Sequence, residues 1–356
     1  MAGHAPGLSR WWLEQRRRIY WRLQPLLLRA PAALTRRLVR PASIYCKLTL
    51  RCNARCRHCD VWKHPSDIQD ELSTAEWKDI FSSLRRWLGP ADICLTGGEV
   101  LLRRDALDLL EFTAGLGLRV QFLSNGYVLA DDVAEKIIAA NPDTAAVSLD
   151  AMDPRLYDEL RGKEGFFKRA AAAIRSLVHH HNRLGARGRI IVKTVMMDPN
   201  LDELTKIVDW VAELGTAKVF FQAITQNYEQ EMRHGWYEVP ELNALWIKDV
   251  ARATRVVDEL IERLEAGAPI ANTRRNLEQI KAYFRDPAKW SRNEAFQIGT
   301  YSDTYCPAGL CGLEFSPNGD VRVCPMSEPI GNVRDAPVKQ IWHSRPACWR
   351  RPCPYW

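Results

Sequence analysis

The chain has 356 residues, of which 46% are hydrophobic, and this length allows one large globular domain with a smaller appendage. No run of 18 apolar residues occurs, so the sequence predicts no transmembrane helix. The net charge of +7 is concentrated in residues 1–41, which hold nine arginines and one glutamate. The remaining chain is close to neutral, which argues against a nucleic-acid partner.

Ten cysteines are a high count for a chain of this length, and they fit either a disulfide framework or metal ligation. Disulfide-dense proteins are usually small and secreted. Here the apolar stretch Leu26–Leu28 is interrupted by Arg29 and Pro31, so we predict no secretory signal. We therefore expect a cytoplasmic protein whose thiolates bind metal.

The first predicted element lies in residues 1–41, where tryptophan, leucine and isoleucine recur at helical spacing between arginines. A basic amphipathic helix with tryptophans can lie on an anionic membrane surface. This pattern predicts peripheral contact with the inner face of the membrane. The alternative is an N-terminal helix that packs on the protein's own body.

From residue 42 the chain alternates between predicted strands and helices about six times. This alternation predicts an α/β fold with a parallel sheet, in the form of a partial (β/α)6 TIM-type barrel. The predicted strands are Ser43–Leu50, Ala91–Leu95, Leu118–Leu123, Ala145–Leu149, Arg189–Val195 and Ala217–Gln222. The predicted helices are Thr74–Leu88, Arg104–Leu116, Asp131–Ala140, Phe166–Leu184 and Leu201–Leu214.

The pattern divides the chain into four parts. A basic helical segment (1–41) precedes the barrel (42–234), a helical connector follows (235–303), and a small lobe ends the chain (304–356). The lobe contains five cysteines and has little room for a hydrophobic core. Small domains of this kind often need a metal to stabilise them.

Polar and glycine-rich residues follow four of the predicted strands: Cys52–Cys59, Gly97–Glu99, Ser124–Gly126 and Ser148–Asp150. In parallel barrels the active site lies at the carboxyl ends of the strands. We therefore expect these four segments to meet in one site.

Cys52, Cys56 and Cys59 follow the first strand, with three and two residues between them. Thiolates are the usual ligands of iron–sulfur clusters, and one loop with this spacing can hold three corners of a [4Fe–4S] cluster. The fourth iron would stay open to a small molecule, as in catalytic metal sites. The alternative is zinc bound by these thiolates and a residue such as His58, but zinc would leave Gly97–Glu99 unexplained.

This arrangement resembles the signature of the radical S-adenosylmethionine (SAM) superfamily. The segment Gly97–Glu99 is similar to the family's GGE motif, which receives the methionyl amine of SAM. The resemblance implies that the residues after the third and fourth strands contact the SAM ribose and carboxylate, that Arg161 pairs with the carboxylate, and that the backbone of His58 contacts adenine. The SAM-binding residues that it predicts are His58, Gly97, Gly98, Glu99, Ser124, Asn125, Ser148, Asp150 and Arg161.

The resemblance also implies the chemistry. A reduced [4Fe–4S] cluster would cleave SAM to methionine and a 5′-deoxyadenosyl radical, which takes a hydrogen atom from the substrate. The cofactor carries out this difficult step, while the protein positions it and excludes water. The electron would come from a donor such as flavodoxin or ferredoxin.

The C-terminal lobe contains the turn Pro317-Asn318-Gly319 between β-forming residues, which predicts a hairpin that can present thiols from both ends to one cluster. The lobe resembles the SPASM/twitch extension of radical SAM enzymes, and its five cysteines fit one auxiliary [4Fe–4S] cluster. A zinc-stapled lobe is the alternative. The expected ligands are Cys306, Cys324, Cys348 and Cys353, although Cys311, Cys348 or Cys353 can each be the spare thiol.

A spare thiol that faces the substrate can return a hydrogen atom to a substrate radical, which makes Cys311 the candidate catalytic residue. The alternative for Cys311 is a buried, inert cysteine. Cys46 and Cys94 lie inside predicted strands, where we expect core positions.

Three classes of function remain open. The first is epimerisation or dehydrogenation of a small molecule, such as a sugar, aminocyclitol or lipid-linked glycan. The second is modification of a ribosomally made peptide, and the third is a non-catalytic iron–sulfur or zinc protein. Similar enzymes with one auxiliary cluster include carbohydrate dehydrogenases and epimerases, so the resemblance favours the first class.

Overall fold

The computed structural model describes residues 30–226, 235–287, 311–324 and 327–347, together with Leu26. Most of the predicted N-terminal amphipathic helix lies outside the described residues, as do Cys306, Cys348 and Cys353. None of the helices within the described ranges is long and apolar enough to cross a membrane.

Six parallel strands form the centre of the fold, and each lies next to its neighbour in the chain. The prediction of an α/β fold with a partial barrel and a C-terminal lobe is confirmed. The strands are β1 (Ser43–Thr49), β2 (Asp92–Gly97), β3 (Arg119–Ser124), β4 (Thr144–Ser148), β5 (Arg189–Met196) and β6 (Lys218–Ala223).

Helices cover the outer face of this sheet because alternate strand residues are apolar and pack against them. A short helix precedes β1, six helices accompany the strands, and three more follow β6. They are α1 (Ala32–Leu38), α2 (Thr74–Leu88), α3 (Ala106–Gly115), α4 (Asp131–Ala139), α5 (Pro154–Arg161), α6 (Phe166–Leu184), α7 (Leu204–Leu214), α8 (Pro240–Asn243), α9 (Val250–Glu265) and α10 (Arg274–Arg285). Single 3-10 turns lie at Val61–Lys63, Val100–Leu102, Asp198–Glu203 and Trp236–Glu238.

The inner face of the barrel forms a lumen with polar contacts. Lys193 of β5 interacts electrostatically with Cys94 of β2 although β3 and β4 separate their strands in the sheet. The two groups are therefore close enough for their charges to influence each other across the barrel. Lys193 retains partial exposure, and its Nζ lies 6.0 Å from the ring centroid of Phe220.

The C-terminal lobe extends the barrel sheet, which the sequence did not predict. Strand β7 (Gly312–Phe315) pairs in parallel with the free edge of β1, and β8 (Asp320–Arg322) and β9 (Gly331–Asn332) continue antiparallel. A final helix, α11 (Val338–Ser344), packs near α1 and α2. Because β7 pairs with β1, the lobe and the barrel share one sheet.

Two further contacts fix the lobe on the barrel. Lys47 of β1 forms an ion pair with Glu314 of β7 at 3.0 Å, and both side chains are largely buried. The Trp342 indole N–H donates to the carbonyl of Val39 at 2.8 Å. The predicted turn at Gly319 joins β7 and β8, with a positive φ of 91° that favours glycine.

The Glu76→Ala substitution is expected to lower the free energy of unfolding by about 1–2 kcal/mol. Glu76 completes the capping box of α2 with Ser73 and accepts a hydrogen bond from Arg334 of the lobe at 2.7 Å. The Arg334 bond, more than any other contact, lowers the pKa of Glu76 to about 2. This stabilisation is therefore complete above the pKa of about 4.3 of an unfolded Glu and is lost as the pH falls through the folded value.

Urea unfolding at several pH values measures this effect, and the difference between wild type and variant should shrink as the pH is lowered. The exposed Glu213 of α7 provides a control substitution, Glu213→Ala. Equal stabilities of wild type and Glu76→Ala at neutral pH would show that the Glu76 contacts contribute nothing.

Candidate functional site

The four predicted strand-end segments meet at one end of the barrel. The loop Cys52–Cys59 follows β1, and the side-chain amide of Asn125, after β3, donates to the Asn53 side chain at 2.7 Å and lies 3.9 Å from the Cys52 Sγ. The segments after β1 and β3 are therefore in contact, as expected for the carboxyl ends of parallel strands.

Glu99 connects the ends of β2 and β3. Its carboxylate is fully buried and accepts hydrogen bonds from the Ser124 hydroxyl at 2.9 Å, the Asn125 N–H at 2.6 Å and the Leu101 N–H at 3.1 Å. Burial raises the pKa of Glu99, while these three donors act in the opposite direction. The motifs Gly97–Glu99 and Ser124–Asn125 thus form one hydrogen-bonded unit.

The two glycines before Glu99 allow the backbone to approach β1 closely. The Gly98 N–H donates to the Thr49 carbonyl at 2.8 Å, and the Glu99 N–H donates to the Arg51 carbonyl at 2.9 Å. A Cβ atom on Gly97 would lie 2.1 Å from the Thr49 oxygen, and one on Gly98 would lie 2.2 Å from the Arg51 oxygen. Larger residues therefore cannot keep this loop against the start of the cysteine loop.

The Gly98→Ala substitution is expected to lower the free energy of unfolding by about 1–3 kcal/mol, because the added methyl collides with backbone rather than with a flexible side chain. It should also lower iron loading, since the displaced backbone adjoins the cysteine loop. Chemical unfolding and iron analysis measure the two effects. A Cβ on Gly115 of α3 meets nothing within 4 Å, so Gly115→Ala is the matched control and should leave both quantities unchanged or slightly raised. Normal stability and iron content in Gly98→Ala would contradict this role.

The three thiols of the cysteine loop lie close enough to influence one another. Burial, and to a smaller extent Cys56, raises the pKa of Cys52 to about 11 and that of Cys59 to about 12. Cys56 is buried, and its Sγ accepts a hydrogen bond from the Arg161 guanidinium at 3.4 Å. In the part of the chain that the structure describes, no three His, Cys, Asp or Glu side chains enclose a single-ion site.

Arg161 reaches this loop from the end of α5, a helix that the sequence analysis left unassigned. Asp153 caps the start of α5, and Gly162 ends it in the left-handed conformation. The Arg161 guanidinium pairs with Asp150 at 2.5 Å, and both side chains are buried. The second Asp150 oxygen accepts from the Val195 N–H at 2.8 Å, so Asp150 is a positioning residue for Arg161.

Three buried nitrogen atoms of the site have no hydrogen-bond partner among the described residues: Nδ2 of Asn53, Nδ1 of His58 and Nε of Arg161. Burial lowers the pKa of His58 to about 4, so its imidazole is neutral at neutral pH. Orphaned buried polar atoms are rare in folded proteins. Together with three adjacent thiols, they fit a site that receives a polar group and an iron–sulfur cluster.

Ser148 lies on β4 opposite Lys193 of β5, and its carbonyl accepts the Tyr157 hydroxyl at 2.7 Å. Among the described residues, no hydrogen bond or ion pair joins its side chain to Glu99, Ser124, Asn125 or the three thiols. The structure thus places Ser148 at the end of β4, two residues before Asp150.

The sequence analysis did not predict a buried network of hydrogen bonds and ion pairs that lies below the cysteine loop. Glu71 accepts from the hydroxyls of Thr49 and Ser66, each at 2.5 Å, and pairs with Arg103 at 3.2 Å. Arg103 also donates to the carbonyl of Leu48 at 3.1 Å. These residues come from the end of β1, from the loop before α2 and from the connection between β2 and α3, so no local pattern could reveal the network that holds the end of β1.

Cys311 lies at the opposite end of the barrel from the cysteine loop. Its carbonyl accepts the Ala42 N–H just before β1, whereas Cys52 follows the far end of that strand. At about 3.3 Å per residue, seven strand residues separate the two ends by more than about 20 Å. Such a distance counts against Cys311 as a hydrogen donor at the predicted SAM site, and its catalytic role stays an untested prediction.

The hairpin register instead brings Cys311 near Cys324. Glu314 pairs with Arg322, and continuing this antiparallel register places Gly312 opposite Cys324. The two cysteines therefore lie together at the open end of the hairpin.

A parallel barrel with three thiols after its first strand, beside a buried carboxylate and a buried Arg–Asp pair, defines an iron–sulfur enzyme that uses a small-molecule cofactor. The chain belongs to the radical SAM superfamily: the model described as "Radical SAM superfamily" matches residues 46–211. A second model, SPASM, described as "Iron-sulfur cluster-binding domain", matches residues 306–354. The cofactors of this enzyme are therefore SAM, a [4Fe–4S] cluster and auxiliary iron–sulfur clusters in the C-terminal domain.

Two curated relatives are AdoMet-dependent heme synthases. The protein from Methanosarcina barkeri is 27% identical, over 85% of this chain and 82% of its own. The protein from Oleidesulfovibrio alaskensis is 25% identical, over 83% of this chain and 73% of its own.

Solved structures show the same fold. Streptococcus suis SuiB bound to S-adenosylmethionine has a TM-score of 0.63 and 16% identity over 86% of this chain, which spans 66% of SuiB. The enzyme anSMEcpe with bound AdoMet has a TM-score of 0.59 and 15% identity, over 85% of this chain and 80% of its own.

Proposed function

We propose that this enzyme abstracts a hydrogen atom from a small polar molecule held in the barrel lumen and thereby epimerises or dehydrogenates it. The observation that carries this proposal is Lys193, a partly buried cation of the barrel without a carboxylate partner among the described residues, whose charge interacts with the Cys94 thiol. A cation and a thiol suit a polar substrate better than an apolar one.

The residues at the strand ends have separate tasks in this proposal. Cys52, Cys56 and Cys59 would hold the cluster, and Arg161, oriented by Asp150, would pair with the carboxylate of SAM. When bound, the cluster and SAM supply a 5′-deoxyadenosyl radical that removes a hydrogen atom from the substrate. Burial of the surrounding side chains would exclude water from this step.

Lys193 would bind an anionic or hydrogen-bonding group of the substrate. Among the described residues it has no carboxylate partner, and burial lowers its pKa, with only Cys94 acting in the opposite direction. A substrate anion would compensate the cost of keeping this cation in the lumen.

Cys94 is a better placed hydrogen donor for epimerisation than Cys311. It lies three residues before the end of β2 and faces the lumen, and burial raises the pKa of its thiol to about 11. The thiol is therefore protonated and has a hydrogen atom to return to the opposite face of a substrate radical. The thiyl radical left on Cys94 would then regain an electron from the external donor that also reduces the cluster, and a proton from solvent. In dehydrogenation the substrate radical would instead lose a proton and an electron. The auxiliary iron–sulfur group of the C-terminal domain would accept the electron.

A second candidate substrate is a heme precursor. It is favoured by the two AdoMet-dependent heme synthases, which align over more than four fifths of this chain. The solved structures of SuiB and anSMEcpe with bound peptides are less than 25% identical in sequence to this chain, so they support only its fold.

The test is an anaerobic assay of the reconstituted protein with dithionite, SAM and a panel of sugars, aminocyclitols and heme precursors, with 5′-deoxyadenosine as the readout. In D2O, epimerisation yields a product with one deuterium, whereas dehydrogenation yields a product that has lost two hydrogens. Cys94→Ala should abolish epimer formation but retain 5′-deoxyadenosine, and Lys193→Met should raise KM. Turnover of a heme precursor alone would favour the second candidate, and the absence of 5′-deoxyadenosine with every compound would refute the proposal.

A further inference from the structure

A basic groove lies on the outside of the barrel, between α1, the end of α2 and α11. It encloses about 490 Å³. Residue 40 lies three positions before the first residue of β1, so the groove is at the amino-terminal end of the strands, away from the cysteine loop. Its lining residues are Arg37, Arg40, Ser83, Arg86, Trp87, Lys339 and His343.

Three basic side chains of this groove carry exposed charge. Arg37, Arg86 and Lys339 are exposed, and none of them forms an ion pair with a carboxylate among the described residues. Arg86 donates only to the neutral hydroxyl of Ser83, at 3.0 Å. An exposed cluster of like charges raises the positive potential of this surface and attracts an anionic partner.

The pKa of His343 indicates a positive potential inside the groove. Partial burial lowers its pKa, and the positive charges of Lys339, Arg345 and Arg37 lower it further. Its ring packs edge-on against Trp87, with the centroids 6.3 Å apart. A neutral imidazole and an indole thus form the floor, with cations around the rim.

Exposed leucines adjoin this basic rim. Leu34 and Leu38 lie one turn apart on α1, with 46% and 50% of their surfaces exposed, and Arg37 lies beside them. Leu26, nearby in the chain, is 64% exposed. A soluble phosphate compound would need the cations but not the leucines, whereas the boundary between headgroups and acyl chains accommodates both.

We propose that α1, the end of α2 and α11 form a surface that binds an anionic lipid bilayer, with a phosphate-bearing headgroup in the groove and with Leu34 and Leu38 against the acyl boundary. Residues 1–29 carry six arginines and one glutamate, so the positive charge continues along the chain from this surface. The proposal does not depend on the identity of the substrate.

Sedimentation of the full-length reconstituted protein with vesicles tests this surface. The protein should bind vesicles that contain phosphatidylglycerol but not vesicles of phosphatidylcholine alone, and high salt should weaken binding. The variant R86E/K339E should bind at least about tenfold more weakly, because each basic residue near an anionic membrane contributes about a fivefold factor. The variant L34S/L38S should also bind more weakly.

The control variant K168E/R255E makes the same charge change at exposed positions on α6 and α9 and should bind like wild type. SAM cleavage without substrate should be unchanged in every variant, which shows that the chain is folded. Vesicle binding that survives in R86E/K339E would overturn the proposal. Saturable binding of inorganic phosphate without vesicle binding would likewise overturn it in favour of a soluble ligand, and selective loss of flavodoxin binding would do so in favour of an acidic protein.

Discussion

The Cys56→Ala substitution is expected to reduce SAM cleavage by more than about 100-fold. Loss of a group that only orients a metal ligand costs up to about 100-fold, and loss of a ligand itself should cost more. Cys56 is the central thiol of the loop and the one that contacts the Arg161 guanidinium. Its loss would remove a proposed cluster ligand and leave that contact of the buried guanidinium unmade. Iron content and 5′-deoxyadenosine formation, measured after anaerobic reconstitution, test this expectation.

Cys46→Ala is the matched control for this experiment. Cys46 is fully buried on β1, faces the hydrophobic core and has a pKa raised by burial, so it is an inert thiol. Its replacement should cost some stability but leave iron content and SAM cleavage near wild type. Equal losses in Cys56→Ala and Cys46→Ala would mean that the losses arise from unfolding, and full activity of Cys56→Ala would remove this residue from the cluster.

The second large effect is expected from Asp150→Ala, which should lower the free energy of unfolding by about 3–5 kcal/mol. Asp150 is fully buried and pairs with Arg161, which is itself buried. Removal of the carboxylate leaves a buried guanidinium without its carboxylate partner and frees the Val195 N–H. Urea unfolding of the metal-free chain under reducing conditions measures the loss.

The double variant Asp150→Ala/Arg161→Met separates the charge effect from packing. Methionine removes the positive charge but keeps an unbranched apolar chain, so the double variant should recover most of the stability that Asp150→Ala loses. Neither variant is expected to bind SAM normally, since both lack the oriented Arg161. A double variant no more stable than Asp150→Ala would show that the buried charge is not the cause.

The substrate assignment can be separated from the identity of the enzyme by these variants. Cys56→Ala tests cluster chemistry that every radical SAM enzyme needs, while Cys94→Ala and Lys193→Met concern only the lumen. A chain that cleaves SAM normally but is insensitive to both lumen variants would remain a radical SAM enzyme with a different substrate site.

The sequence by itself determined the features that depend on neighbouring residues. The alternation of apolar segments predicted six strands and most of the helices, because the periods of strands and helices are visible within one segment. The spacing of Cys52, Cys56 and Cys59 and the motif Gly97–Glu99 identified the family for the same reason: each lies within a single loop.

Only the tertiary structure decided the features built from distant parts of the chain. Three such features join residues that are about 100 or more positions apart. They are the pairing of β7 with β1, the electrostatic interaction between Cys94 and Lys193, and the basic groove. Such contacts depend on how the sheet curves and how the helices pack. The same reason explains Cys311: as a possible spare thiol it was the candidate hydrogen donor, but strand pairing places it at the far end of the barrel, near Cys324.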